Sequence, residues 1–197
     1  MHRYLKRFFP LILLPALLLL ALTACDSGSD TAKKNPAAAI PEKVVLAEID
    51  GQAVTGADLR SYLGLFKGPE ARLPEGPEAR TRLLEHLLDR KLLLIAAAKE
   101  GYDKLDELRK HGSLEGVEKE TIILRAYLTD KVSRPATPDE AAVSAWREKH
   151  PGLTVKKARE ELATTNQKKL FRQLMTKLRK AHKVVIRQQN LAALPAG

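Results

Sequence analysis

One stretch dominates the folding of this chain: residues 77–100 carry an unbroken helical period. Leu84, Leu87, Leu88, Ile95 and Ala98 recur at the three- and four-residue spacing of a single buried face. Pro77 suits the first turn, where its missing N–H would have no partner in any case. Gly101 is placed to end the helix in a left-handed conformation. This is the strongest helix in the sequence, and the other elements are read around it.

Ahead of it, residues 44–49 form a short β-branched, apolar run that ends at Asp50-Gly51, a strong turn signal. Residues 52–54 read as a returning strand stub. Thr55 and Asp58 then resemble a capping box, opening a helix over about 56–66 with Leu59, Leu63 and Phe66 on one face. The Gly/Pro-rich segment 68–77 reads as loop. Beyond Gly101 the pattern predicts a short helix near 104–110. Another covers roughly 114–132, with Val117, Leu124, Tyr127 and Leu128 inward. Pro135 breaks the pattern, and Thr137-Pro138-Asp139-Glu140 restarts it as N-cap, N1 proline and N3 acid. That helix carries Ala142, Val143 and Trp146. A long amphipathic helix over about 155–181 follows, with Leu162, Leu170, Phe171, Leu174 and Leu178. Residues 183–187 read as a last short strand, and 188–197 as a frayed, disordered tail. The fold class is mainly α, a helical domain closed by two short terminal β-strands that can pair.

The N-terminus is of another kind. Arg3, Lys6 and Arg7 precede an uncharged apolar run over 8–22, and small residues then lead into the only cysteine, Leu22-Thr23-Ala24-Cys25. The order matches a secretory signal, and the run is shorter than the roughly 20 apolar residues of a membrane span. The tetrapeptide resembles the lipobox of bacterial lipoproteins. That resemblance implies that the Cys25 thiol is acylated, palmitate being a typical chain, and that the signal is cut before it. Two or three acyl chains anchor a protein stably where one does not. Asp26 resembles the signal that retains such proteins in the inner membrane; the outer membrane stays open. The implied division is a signal peptide over 1–24, a lipidated cysteine and tether over 25–41, a helical domain over 42–187 and the tail over 188–197. The location implied is the periplasmic side of the cell envelope.

Charge is unevenly placed. The net +10 includes three basic residues ahead of Cys25, which leaves +7. Residues 155–187 hold eleven Lys or Arg against Glu160 and Glu161. Lys168, Lys169, Arg172, Arg179 and Lys180 form the basic surface expected there. It suits anionic lipid, an anionic polysaccharide or an acidic client, or is a solvated face. Nucleic acid is not expected as a partner of an exported chain.

The element order resembles the chaperone module (the SurA N-terminal domain family) of SurA, PrsA and related periplasmic parvulin-type foldases. The residues that carry it run from Val45-Leu46-Ala47-Glu48-Ile49-Asp50-Gly51 through Thr55, then Leu84-Glu85-His86-Leu87-Leu88 to Leu93, Ala97-Ala98-Lys99-Glu100-Gly101-Tyr102, Arg125-Ala126-Tyr127-Leu128, the restart at Thr137 and the closing Val184-Val185-Ile186. In those foldases a rotamase domain lies between the two halves of the module. Here Pro151-Gly152-Leu153-Thr154 joins the halves directly, and no paired-histidine site is present, so isomerase activity is not expected.

Other chemistry is equally thin. No nucleophile elbow, P-loop, His-Glu-x-x-His or paired-cysteine motif occurs. No metal and no cofactor beyond the lipid on Cys25 is expected. His86 and His111 read as packing or capping residues, Glu118, Glu120, Glu160 and Glu161 as solvated faces, and Trp146 and Tyr127 as core. The resemblance implies ATP-independent, chaperone-like binding of unfolded exported polypeptides. Tyr62, Leu65 and Phe66 are the candidate peptide-binding surface, or else they complete the core. The competing reading is an accessory or scaffold lipoprotein of an envelope secretion or exopolysaccharide-export machine.

Overall fold

The computed structural model describes residues 39–106, 108 and 115–195. The signal segment, Cys25, Asp26, most of the tether and His111 lie outside the described residues. What is described is mainly helical, with a three-stranded antiparallel sheet of order β2-β1-β3.

Strand β1 (Val45–Ile49) turns through Asp50 and Gly51, both at positive φ, into β2 (Gln52–Thr55). Two left-handed residues in a two-residue loop match the twist of a hairpin, which is why Asp-Gly serves there. β3 (Val184–Ile186) joins the other side of β1, pairing Ala47 with Ile186 and Ile49 with Val184. The two strands read from opposite ends of the sequence therefore do pair.

Helix α1 (Gly56–Leu63) starts directly from β2. The Asp58 carboxylate accepts from the Thr55 N–H at 2.8 Å, the back-reaching half of the expected capping box. The helix stops at Leu63, before Phe66. Helix α2 (Pro77–Lys99) begins at its proline, and Gly101 at φ 86 closes it. Its buried set is wider than expected: Leu84, Leu87, Leu88, Leu92, Leu93, Ala96 and Ala97. Ala98 faces solvent and Ile95 is half-buried, because α2 is wrapped on several sides rather than seated on one face.

Helix α3 (Gly116–Leu128) buries Ile123, Leu124 and Tyr127, then widens into a π turn over Thr129–Ser133. Tyr102 stands edge-on to Tyr127 and donates its hydroxyl to Asp130 at 2.8 Å. Helix α4 (Glu140–Lys149) is capped by Asp139, which accepts from the Ala142 N–H at 2.8 Å. The expected cap at Thr137 is thus displaced two residues, since Asp139 supplies the better-placed carboxylate, and Pro138 lies before the helix. Within it Val143 is buried, Ala142 is exposed, and Trp146 is half-buried with its ring stacked on His150.

Helix α5 (Val155–Ala181) has a sequence period of its own. Ala158, Leu162, Asn166, Leu170, Leu174 and Leu178 recur at strict four-residue spacing. Four residues turn an α-helix by about 400°, so each step advances the stripe by about 40°. Over the five steps the contact face winds roughly halfway round the helix. The N-terminal half packs on α4 and the π turn, where the Asn166 amide donates to the Ala136 carbonyl. The C-terminal half packs on α2 from the other side. Phe171, expected in the stripe, falls off this winding line and is 40% exposed.

Over 188–195 the tail corrects the expectation of disorder; residues 196 and 197 lie outside the described residues. Helix α6 (Gln188–Ala192) buries Leu191, and Leu194 beyond it is buried as well. α6 lies against α2 and β1. The apolar pair Leu191 and Leu194 at helical spacing completes the core that the sheet leaves open.

Candidate functional site

Several clefts are lined in part by α2. The smallest of these, about 110 Å³, holds part of the aromatic surface expected from the sequence. Tyr62 and Leu65 line it together with Leu87 of α2 and Val117 of α3. Tyr62 meets Phe66 edge-on with ring centroids 5.2 Å apart, and Leu65 is 37% exposed. The three residues are brought together, but the cleft beside them is narrow and ringed by charge. Lys91 reaches Asp58 at 2.8 Å, and Arg90 reaches Glu120 at 3.1 Å, binding α1, α2 and α3 to one another. Burial works to raise the Asp58 carboxyl, but the Lys91 ammonium and the Thr55 N–H outweigh it and hold it below 3.8. Partial burial raises the Tyr62 hydroxyl above its ordinary range.

A larger groove, about 400 Å³, lies between α2, the end of α5 and β3. Its floor is apolar: Leu88 and Leu92 from α2, Val184 and Ile186 from β3. Its rim is polar and held in place. Arg179 of α5 binds Asp89 of α2 at 2.7 Å. Asp50 in the hairpin turn accepts from Lys183 N–H at 2.7 Å and contacts His182 Nδ1 at 2.6 Å. The His182 contact, and then the Lys183 N–H, keep the Asp50 carboxyl below 3.8.

The strand beside this groove has an open side. Asp50 N–H donates to Lys183 C=O, and Arg187 N–H donates to Leu46 C=O. Backbone groups in an antiparallel strand alternate in direction. Lys183, Val185 and Arg187 therefore turn theirs toward β1, and Val184 and Ile186 turn theirs away. β3 is an outer strand of the sheet, and among the described residues no strand covers that side. The arrangement sets an outer strand beside an apolar groove, and extended peptides add to sheet edges of this kind.

No protein-family model, curated protein or solved structure matches this chain.

The remaining candidates fall as follows. Lys168, Lys169, Arg172, Arg179 and Lys180 are all exposed on α5, but Arg179 is committed to Asp89. His86, expected to pack or cap, is exposed on the outer side of α2, because the helix buries Leu84, Leu87 and Leu88 instead. Among the described residues no cluster of His, Cys, Asp or Glu has metal-binding geometry, and no helix is long and apolar enough to cross a membrane. The groove itself was not legible as a site. Its one sequence signal is a β-branched triplet, Val184-Val185-Ile186, too short to bury both of its edges.

Proposed function

We propose that the chain is a lipid-anchored, extracytoplasmic peptide-holding module, which binds extended apolar segments of unfolded exported proteins without ATP. The anchor is Cys25, and the likeness of the element order to foldase chaperone modules supports the reading. The observation that carries it is the groove over Leu88, Leu92, Val184 and Ile186 beside the open side of β3. Main-chain pairing supplies affinity with little regard to sequence, and the apolar floor favours segments with bulky alternate side chains. No chemical step is assigned to the groove, and the module has no isomerase role in this reading. The Tyr62, Leu65 and Phe66 patch serves as a secondary contact.

The test uses the chain from residue 26 onward, which retains every described residue, mixed with an unfolded outer-membrane protein. Light scattering reports aggregation, and a photo-crosslinker at Lys183 on the groove rim reports occupancy, with one at Glu70 as control. Suppression at near-stoichiometric ratio with crosslinks at position 183 supports the reading. Absence of suppression beyond that by a basic protein of equal charge overturns it. A single defined crosslinked partner in its place supports the scaffold alternative.

A further inference from the structure

The second half of α5 presents a basic face of which only Arg179 borders the groove. Between Glu161 and Ala181 the helix carries no acid, while Lys168, Lys169, Arg172, Lys177, Arg179 and Lys180 supply six positive charges. At about 100° per residue these six lie within roughly half the circumference. Leu174, Met175 and Leu178 occupy the other half and face the core. Arg179 is neutralised by Asp89; the other five are exposed and have no ion-pair partner among the described residues. From Lys168 to Lys180 they extend about 18 Å along the helix. Phe171, 40% exposed, lies about 60° outside this arc, at the azimuth of Leu178 and Met175, and is not part of the basic face.

We propose that this face of α5 docks on anionic phospholipid headgroups, which orients the module on the membrane that its lipid anchor reaches. The orientation rests on the lipid-anchor reading of Cys25; the headgroup binding itself does not. Five uncompensated cations in a row form a surface complementary to a negatively charged bilayer, where each basic residue near the surface adds about 1 kcal/mol of attraction. The chain from Cys25 to the first described residue reaches at most roughly 50 Å. Such a tether keeps the module near the bilayer without choosing which side faces it; the charge of α5 makes that choice. Arg179 and His182 then place the groove beside the docked helix.

Co-sedimentation tests this with the chain from residue 26 onward, so that no acyl chain contributes. The probes are phosphatidylethanolamine–phosphatidylcholine vesicles with and without phosphatidylglycerol. Binding only to the phosphatidylglycerol vesicles, weakened by salt, is expected. The triple variant Lys168→Gln, Lys169→Gln, Arg172→Gln is expected to lose roughly a hundredfold in affinity. The control variant Lys67→Gln, Lys99→Gln, Lys149→Gln, exposed lysines on other elements, is expected to keep it. The fluorescence of Trp146, the single tryptophan, verifies that each variant is folded. Equal binding to both vesicle types, no binding, equal loss in the control variant, or tighter binding to an anionic polysaccharide than to the vesicles overturns the proposal. The triple variant is expected to suppress aggregation in lipid-free solution as the parent does. Loss of lipid binding and loss of peptide holding are therefore read separately.

Discussion

The Arg80 guanidinium, one turn into α2, donates to the carbonyl oxygen of Leu194 at 2.8 Å and to that of Pro195 at 3.0 Å. A third bond runs to the Pro74 carbonyl at 3.2 Å. Arg80 is the one buried charged residue among the described residues, 9% exposed. Its charge is met by main-chain carbonyls, and the contact spans 114 residues of sequence.

Removing that clasp is expected to loosen the tail. Hydrogen bonds from a charged donor are worth about 1.5–3 kcal/mol each, so Arg80→Ala is expected to cost at least about 2 kcal/mol. Truncation after Asn190, which also removes buried Leu191 and Leu194, is expected to cost as much or more. The two changes combined are expected to cost less than their sum, because both dismantle one contact. Urea unfolding followed by Trp146 fluorescence measures all three. An Arg80→Ala midpoint equal to the parent's would show that the tail does not depend on the clasp.

Asp50 links the hairpin turn to the end of α5 and gives stability an acid limit. Its folded carboxyl is held below the ordinary 3.8 by His182 and the Lys183 N–H. A depressed carboxylate contributes stability in full above the unfolded value, and loses it as pH falls through the lower folded value. The thermal midpoint of the parent is therefore expected to fall below about pH 3.8 more steeply than that of Asp50→Asn. At neutral pH the variant is expected to be the less stable. Parallel melting curves across that window would remove the role assigned to Asp50.

Gly56 is required by space, not by backbone freedom. A Cβ there would collide with the Pro41 carbonyl oxygen and press on Val44. Gly56→Ala would favour a helix by propensity alone, yet it is expected to destabilise by about 1–3 kcal/mol through overpacking. Gly68→Ala offers a contrast: a Cβ there has open space, and only the positive φ of 65° opposes it. A stabilised Gly56→Ala in a denaturant titration would contradict the close approach.

Proline separates the two sides of β3. Val184 turns its N–H away from β1, so Val184→Pro removes no bond within the sheet and is tolerable on an outer strand. It does remove a donor that an added peptide would use. Val185→Pro instead deletes a bond to β1 at the Glu48 pairing and is expected to destabilise the fold. Peptide capture, measured by crosslinking, is expected to fall several-fold in Val184→Pro with the melting temperature nearly kept. Undiminished capture would place the client elsewhere than on this strand.

Much of the fold was legible because the signals are local. The Asp50-Gly51 turn, the Pro77 start and Gly101 stop of α2 and the β-branched triplet at 184–186 each act within a few residues. Errors gathered where two local solutions compete. Asp139 took the cap expected of Thr137, and α1 ended at Leu63 before Phe66. The aromatic patch was found as a neighbourhood, but the charges of Arg90, Lys91 and Glu120 that narrow its cleft come from two other helices.

The sequence by itself determined the helical class, the end strands and the basic character of α5, since periodicity, turn chemistry and charge are properties of adjacent residues. It also held the four-residue stripe that winds α5 between α4 and α2. Only the tertiary structure decided that β3 lies at the outside of the sheet, that it borders one groove with Leu88 and Leu92, and that Leu191 and Leu194 of the tail are buried. Each of those depends on contacts between residues about a hundred positions apart, such as Arg80 with Leu194 and Asp50 with His182. No local preference encodes such contacts. They form because the Leu-rich faces of α2 must be covered from every side, and the chain ends supply what the middle leaves exposed.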